Sequence, residues 1–106
     1  KSQLIRSFEH FYPGCVAFKV GAGPYLAAGL PDLFVAIPAD VPRQAQQLWI
    51  EVKMHPKKLS PRQETMIRRL RAAGAKVWVL TWRDRVLRSD DERVALDFIR
   101  LVAKVE

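Results

Sequence analysis

Gly29-Leu30-Pro31-Asp32 is followed, nineteen positions after its aspartate, by Glu51-Val52-Lys53 inside an apolar run. Two carboxylates brought together on neighbouring strands, with a lysine two places beyond the second, form a compact site for a divalent cation and a phosphate. Side chains alternate along a strand, so Glu51 and Lys53 project to one face and Val52 to the other. Ile50 and Val52 then anchor the strand in the core, while Trp49, Glu51 and Lys53 share the opposite face. An acid in an otherwise buried strand is costly unless it is paired or metal-bound. Taken singly, the same residues have plainer readings: Asp32 as a turn residue after proline, Glu51 and Lys53 as a surface pair contributing about 0.2–1 kcal/mol.

The charge of the chain points toward the same place. Of a formal net charge of +7, all is found between Val52 and Lys76, where eight basic residues face one acid, Glu64. The remainder holds ten basic and ten acidic residues and is neutral. A surplus that starts at the proposed site and runs on through the next segment suits a polyanion, most simply a nucleic-acid backbone. A solvated helix face is the competing reading. His10 and His55 lack the spacing of a zinc site. Cys15 is the sole cysteine, so it makes no internal disulfide and reads as a buried cysteine of a cytoplasmic protein. No apolar run approaches the roughly 20 residues needed to span a membrane.

The elements that must position these residues follow from periodicity and punctuation. Leu4, Ile5, Phe8 and Phe11 recur at helical spacing and stop at Pro13-Gly14. Val16 to Val20 reads as a strand, Gly21 to Gly29 as a Gly- and Ala-rich loop, and Leu33 to Ile37 as a second strand. Pro38 to Gln47 is a long hairpin connection, and Leu48 to Met54 a third strand. Ser60 is an N-cap, Pro61 suits the first helical position, and Gln63 completes a capping box. Met66, Ile67 and Leu70 form that helix's buried stripe, and Gly74 stops it. Lys76 to Leu80 returns as a buried strand with Trp78 in the core. Ser89 with Glu92 opens a final helix with Val94, Phe98, Leu101 and Val102 on its apolar face. The expected fold class is α/β, in the order α-β-β-β-α-β-α: a single domain over residues 1–106 with a central mixed sheet flanked by helices. The hairpin is antiparallel, and the crossover through Ser60–Gly74 joins parallel strands.

Together, Gly29-Leu30-Pro31-Asp32, Glu51-Val52-Lys53 and Leu59-Ser60-Pro61-Arg62-Gln63 resemble the VRR-NUC family, a branch of the PD-(D/E)XK, or restriction-endonuclease-like, nucleases. The resemblance spans Leu4 to Thr81, with three motifs in the correct order on the expected elements. It implies a metal-dependent phosphodiesterase acting on DNA. Stand-alone phage and bacterial members look like structure-directed nucleases related to Holliday junction resolvases, and tend to be homodimers; larger relatives act in crosslink repair. By position, Asp32 and Glu51 would hold Mg²⁺ or Mn²⁺, joined by the main-chain carbonyl of Val52. Lys53 would be the catalytic lysine, and Gln63 matches a glutamine close to the site in relatives. One departure concerns a glutamate that the family carries on its first helix. It would fall near Lys1 to Gln3, where no acid exists, or upstream of Lys1. Glu9, the acid that does stand on this helix, is a weak substitute, which leaves a second metal site in question.

Lys57, Lys58 and Arg62 follow the catalytic strand directly and are the first choices for DNA-backbone contacts, with Lys19 beside them. His55 is either a loop histidine or a phosphate contact. Gly21 to Tyr25 either lets DNA approach the backbone with Tyr25 stacking on a base, or is a mobile loop with Tyr25 packed inward. Trp49 and Trp82 are exposed or in a subunit contact. The leading expectation is a Mg²⁺/Mn²⁺-dependent DNA endonuclease selective for branched DNA, in the cytoplasm of a bacterial or phage-infected cell. A nuclease-fold module that binds DNA without cutting it is the alternative, and a subunit whose basic face docks an acidic protein is a third.

Overall fold

Helix α1 (Ser2–Phe11) forms where the apolar spacing predicts it and buries Leu4 and Phe8. The computed structural model describes residues 2–21, 27–84 and 86–89; Tyr25 and the predicted final helix lie outside the described residues. After α1 come strands β1 (Val16–Lys19), β2 (Leu33–Ile37) and β3 (Gln46–Met54), helix α2 (Pro61–Ala72), and strands β4 (Lys76–Arg83) and β5 (Val86–Ser89). The five strands lie side by side in chain order. β2 pairs antiparallel with β1 and β3, β4 runs parallel to β3, and β5 returns antiparallel along β4. Parallel neighbours cannot be joined by a tight turn, and α2 supplies the crossover. The result is the expected α/β fold with a mixed sheet.

One element departs from the expected order. β5 was not anticipated, and Ser89, expected to open a helix, pairs instead with Leu80 at the end of this strand. The chain reverses between Arg83 and Val86 with Asp84 at φ 52, in the left-handed region. Asn-Gly or Asp-Gly is the sequence signal for such a reversal. Asp84 is followed by Arg85, so the hairpin carries no glycine to announce it. The four-residue strand that follows is too short to display a period.

The core lies on the α1 face of the sheet. Leu33, Val35 and Ile37 of β2, Leu48 and Ile50 of β3, and Trp78 and Leu80 of β4 alternate inward and meet Leu4 and Phe8. Helix α2 lies against the opposite face, where it buries Ile67 and where Val77 is also buried. Phe18, Phe34 and Trp49 form a cross-strand aromatic row on that second face, with ring centroids 5.5 and 5.1 Å apart. Such pairs contribute roughly 0.5–1.5 kcal/mol each. Phe18 nevertheless remains about half exposed, as expected for an edge strand.

Both ends of α2 carry the predicted punctuation. The Ser60 hydroxyl accepts from the Gln63 N–H, the Gln63 side chain accepts from the Ser60 N–H, and Pro61 occupies the first turn. At the other end Gly74 adopts φ 91, the Ala75 N–H reaches the Leu70 carbonyl and the Gly74 N–H reaches that of Arg71. These two bonds form a Schellman motif, which favours glycine at that position.

Candidate active site

Strand register determines where the two acids meet. Leu33 pairs with Ile50, so the next position outward sets Asp32 opposite Glu51. Alternation turns both toward the face that α2 covers, away from the α1 core. Their connection is reciprocal. The Asp32 N–H donates to Glu51 Oε2 at 3.0 Å, and the Val52 N–H donates to Asp32 Oδ2 at 3.2 Å. Asp32 is thus held by the backbone of the strand that bears Glu51, and Glu51 by the backbone that bears Asp32.

Gln63 enters from the first turn of α2. Its Nε2 donates to Glu51 Oε1 at 2.6 Å, while its Oε1 accepts from the Ser60 N–H at 2.9 Å. The cap therefore orients the amide, because an oxygen occupied by a backbone donor leaves the NH₂ group to face the carboxylate. Capping and support of Glu51 coexist in one side chain. Gly29 makes this approach feasible. It sits at φ 82, and a Cβ added there would lie 2.5 Å from the Arg62 carbonyl oxygen. The turn that leads into Asp32 thus rests directly on the first turn of α2.

Lys53 completes the cluster with its Nζ 3.6 Å from Glu51 Oε1. Glu51 is 1% exposed, the sole charged residue among those described as buried. Burial pushes its carboxyl up to about 7; a side-chain hydrogen bond with Asp32 and the like charge of that carboxylate add to the rise, while Lys53 and then the Asp32 backbone N–H oppose it. Two acids this close in a desolvated setting repel each other unless a proton or a cation intervenes. They open into a cavity of about 460 Å³ that Lys53, Lys57 and Gln63 also line, with Leu4, Trp82 and Leu87 as apolar walls.

The other expected site residues are distributed unevenly. Lys57 borders the cavity, whereas the exposed His55 and Lys58 border a neighbouring hollow with Arg83 and Arg88. Arg62 is exposed on the first turn of α2, in a shallow groove with Ala28 and Arg69. Lys19 is exposed at the end of edge strand β1, across from Leu33, and does not line the cavity. Glu9 is exposed and acts electrostatically on Cys15, whose thiol is raised first by burial and then by this charge. Cys15 precedes β1 at the opposite end of the sheet from Asp32, so Glu9 is not brought to the acids. Trp78 is buried in the core, Trp49 belongs to the aromatic row, and Trp82 forms a cavity wall. Leu4, Trp82 and Leu87 escaped sequence reasoning as site residues because nothing but the assembled sheet brings them together.

The family model of the VRR-NUC domain matches residues 24–84, which include every motif around the cavity. A solved VRR-NUC domain shares 26% identity and superposes with a TM-score of 0.52, covering 74% of this chain and 80% of that one. A second structure, the Holliday junction resolvase Hjc of the archaeal hyperthermophile Archaeoglobus fulgidus, shares 23% identity with a TM-score of 0.56. It covers 88% of this chain and 76% of the resolvase, and the likeness is one of fold. Comparison with curated proteins gives no match. With more than half its length matched by the family model, the chain belongs to the VRR-NUC domain family.

Proposed function

We propose that this chain is a Mg²⁺- or Mn²⁺-dependent DNA endonuclease that hydrolyses phosphodiester bonds in branched DNA, such as a Holliday junction. The observation that carries the reading is the buried meeting of Asp32 and Glu51, cross-bonded at 3.0 and 3.2 Å, with Lys53 beside them. Family membership supports a nuclease, and the fold shared with a junction resolvase supports branched DNA as its substrate.

The donor set fits a hard divalent cation. Carboxylate oxygens are the ligands such ions prefer, and the Glu51 carboxyl, raised first by burial and then by Asp32, bears a cost of ionisation that a cation would offset. The Val52 carbonyl is the third candidate ligand. Extending the β2–β3 register places Pro31 opposite Val52, and proline has no N–H to offer that carbonyl. When bound, the ion supplies charge neutralisation at the phosphate and a lowered pKa for the attacking water. The protein's own part begins with Gln63, which fixes the Glu51 carboxylate through an amide already held by the Ser60 cap. Lys53 places its ammonium where negative charge develops on the phosphoryl oxygens. Water attacks phosphorus, the bond to the leaving oxygen breaks and a proton ends on that oxygen, without a covalent enzyme intermediate. Lys57, Lys58 and Arg62 contact the flanking backbone, joined by Lys19 and His55. Residues 1–106 act as one nuclease domain, and two copies form a homodimer that matches the twofold character of a junction.

A second reading has one observation in its favour. Among the described residues no group of three His, Cys, Asp or Glu gathers at the site, which suits a module that holds DNA without cutting it. Incubation with a four-way junction, a flap, duplex and single strands, each with Mg²⁺, Mn²⁺ or EDTA, separates the two. Metal-dependent cutting that favours the junction and disappears in Asp32→Ala is the expected result. Binding without cutting in either metal selects the second reading, and cutting that survives Asp32→Ala overturns the site. Among the described residues no helix is long and apolar enough to cross a membrane.

A further inference from the structure

We propose that a basic hollow built by the β4–β5 hairpin and the turn after β3 seats a backbone phosphate of the DNA roughly one to three nucleotides from the scissile one, with Arg83 and Arg88 as its principal contacts. The inference rests on the nuclease reading and extends it to residues outside the motifs.

Position comes from register. Lys53 pairs with Thr81 across β3 and β4, and Thr81 pairs with Arg88 across β4 and β5. Strands lie about 4.8 Å apart, so the Arg88 backbone is on the order of 10 Å from that of Lys53. Alternation turns Lys53, Thr81, Arg83 and Arg88 toward the same face as Glu51. The turn after β3 brings further cations to this row. The His55 N–H donates to the Trp82 carbonyl at 2.9 Å and the Lys57 N–H to that of Met54 at 2.8 Å, which folds Lys57 and Lys58 back beside β4. His55, Lys57, Lys58, Thr81, Arg83 and Arg88 enclose a hollow of about 380 Å³.

This hollow is continuous with the candidate active site. Lys57 lines both cavities, and a smaller hollow between them is bordered by Lys53, Lys58, Thr81 and Glu64. A chain of phosphates leaving the carboxylate pair past Lys53 therefore meets a run of cations, with Glu64 the one acid among the described residues that border these hollows. Among the described residues an acid also stands near the far end: Asp84, whose Oδ2 lies 3.5 Å from Arg83 Nε with both side chains largely exposed. Exposed pairs of this kind are weak, and a guanidinium offers five donors in a fork suited to phosphate. The Thr81 hydroxyl adds another donor. Like charges gathered on an open surface repel each other, and a phosphate offsets that repulsion.

The test is fluorescence anisotropy of labelled duplex and four-way-junction DNA in EDTA across a NaCl series, with wild type and the Arg83→Ala/Arg88→Ala variant. The variant is expected to bind about tenfold more weakly, with a log–log salt slope shallower by about 1, because fewer counterions are released. If wild type binds DNA and the variant retains both its affinity and its slope, the hollow is off the DNA path and the proposal is overturned while the nuclease reading stands. If wild type binds no DNA at all, the nuclease reading falls and this proposal with it. Should the double variant melt below wild type, Arg88→Gln alone decides through the same two readouts.

Discussion

Glu51→Gln should stabilise the metal-free protein increasingly as pH rises, while removing its response to divalent cations. The Glu51 carboxyl is raised from an ordinary 4.5 to about 7 in the folded state, first by burial and then by Asp32. Between those values the folded protein holds a proton that the unfolded chain has released, so Glu51 makes stability fall as pH climbs. At about 1.4 kcal/mol per pKa unit the penalty approaches ~3.5 kcal/mol above pH 8, and most of it, roughly 2–3 kcal/mol, accumulates between pH 5 and pH 8. Glutamine never ionises and escapes it. Against this gain, Glu51 accepts from both the Asp32 N–H and the Gln63 amide, and glutamine has one oxygen for the two donors. The lost bond costs about 1–2 kcal/mol at every pH. The variant should thus equal or fall below wild type at pH 5 and exceed it by roughly 1–2 kcal/mol at pH 8, a rise on the order of 5–10 °C in Tm. Thermal and urea melts of both proteins in EDTA at pH 5, 6, 7 and 8 measure the difference, and subtracting the two curves cancels the titrating groups that do not interact with Glu51. Mn²⁺ added at pH 8 should then stabilise wild type and leave the variant unmoved. A stability difference that is flat from pH 5 to pH 8 would refute the account of a carboxylate strained by burial and by its neighbour.

Three further variants test other parts of the site. Gly29→Ala combines a left-handed φ of 82 with a Cβ 2.5 Å from a main-chain oxygen; a loss of at least ~1 kcal/mol in urea melts is expected, with reduced cleavage, and a neutral result would mean that the turn does not rest on α2. Gln63→Ala removes half the capping box and the Glu51 donor together, so a loss of roughly 1–3 kcal/mol by denaturant melts is expected, along with weakened Mn²⁺ binding by calorimetry. If the fold loses stability but Mn²⁺ affinity is unchanged, Gln63 serves the helix alone. Lys57→Glu/Lys58→Glu should weaken DNA binding and flatten its salt dependence in the anisotropy assay, and unchanged binding would remove the basic track from the mechanism.

Much of this arrangement was legible in the residues, for reasons that differ by element. β2, β3 and β4 carry apolar runs, and the Ser60-Pro61-Arg62-Gln63 punctuation places the start of α2 to the residue. β5 stayed hidden because the chain reverses between Arg83 and Val86 with no glycine in the sequence to signal it. Asp32 and Glu51 were singled out by type and spacing, yet their reciprocal backbone bonds depend on a register that a sequence does not state. Gln63 offered two readings, helix cap or site residue, and sequence had no means of choosing because both require the same position. The need for Gly29 was also invisible: its neighbour is the Arg62 carbonyl, thirty-three residues onward and on another element. Arg83 and Arg88 fall outside every motif and acquire a shared hollow only through strand pairing.

One amide closes both the opening turn of α2 and the grip on Glu51. Helix ends fray before a domain melts, and the opening turn of this helix is exposed at Ser60, Pro61 and Arg62. On warming, then, catalysis should fade ahead of global denaturation, as loosening of that turn frees the carboxylate to wander. Hardening the helix start at positions other than Arg62 would widen the thermal range of the enzyme without touching a single group that meets its substrate.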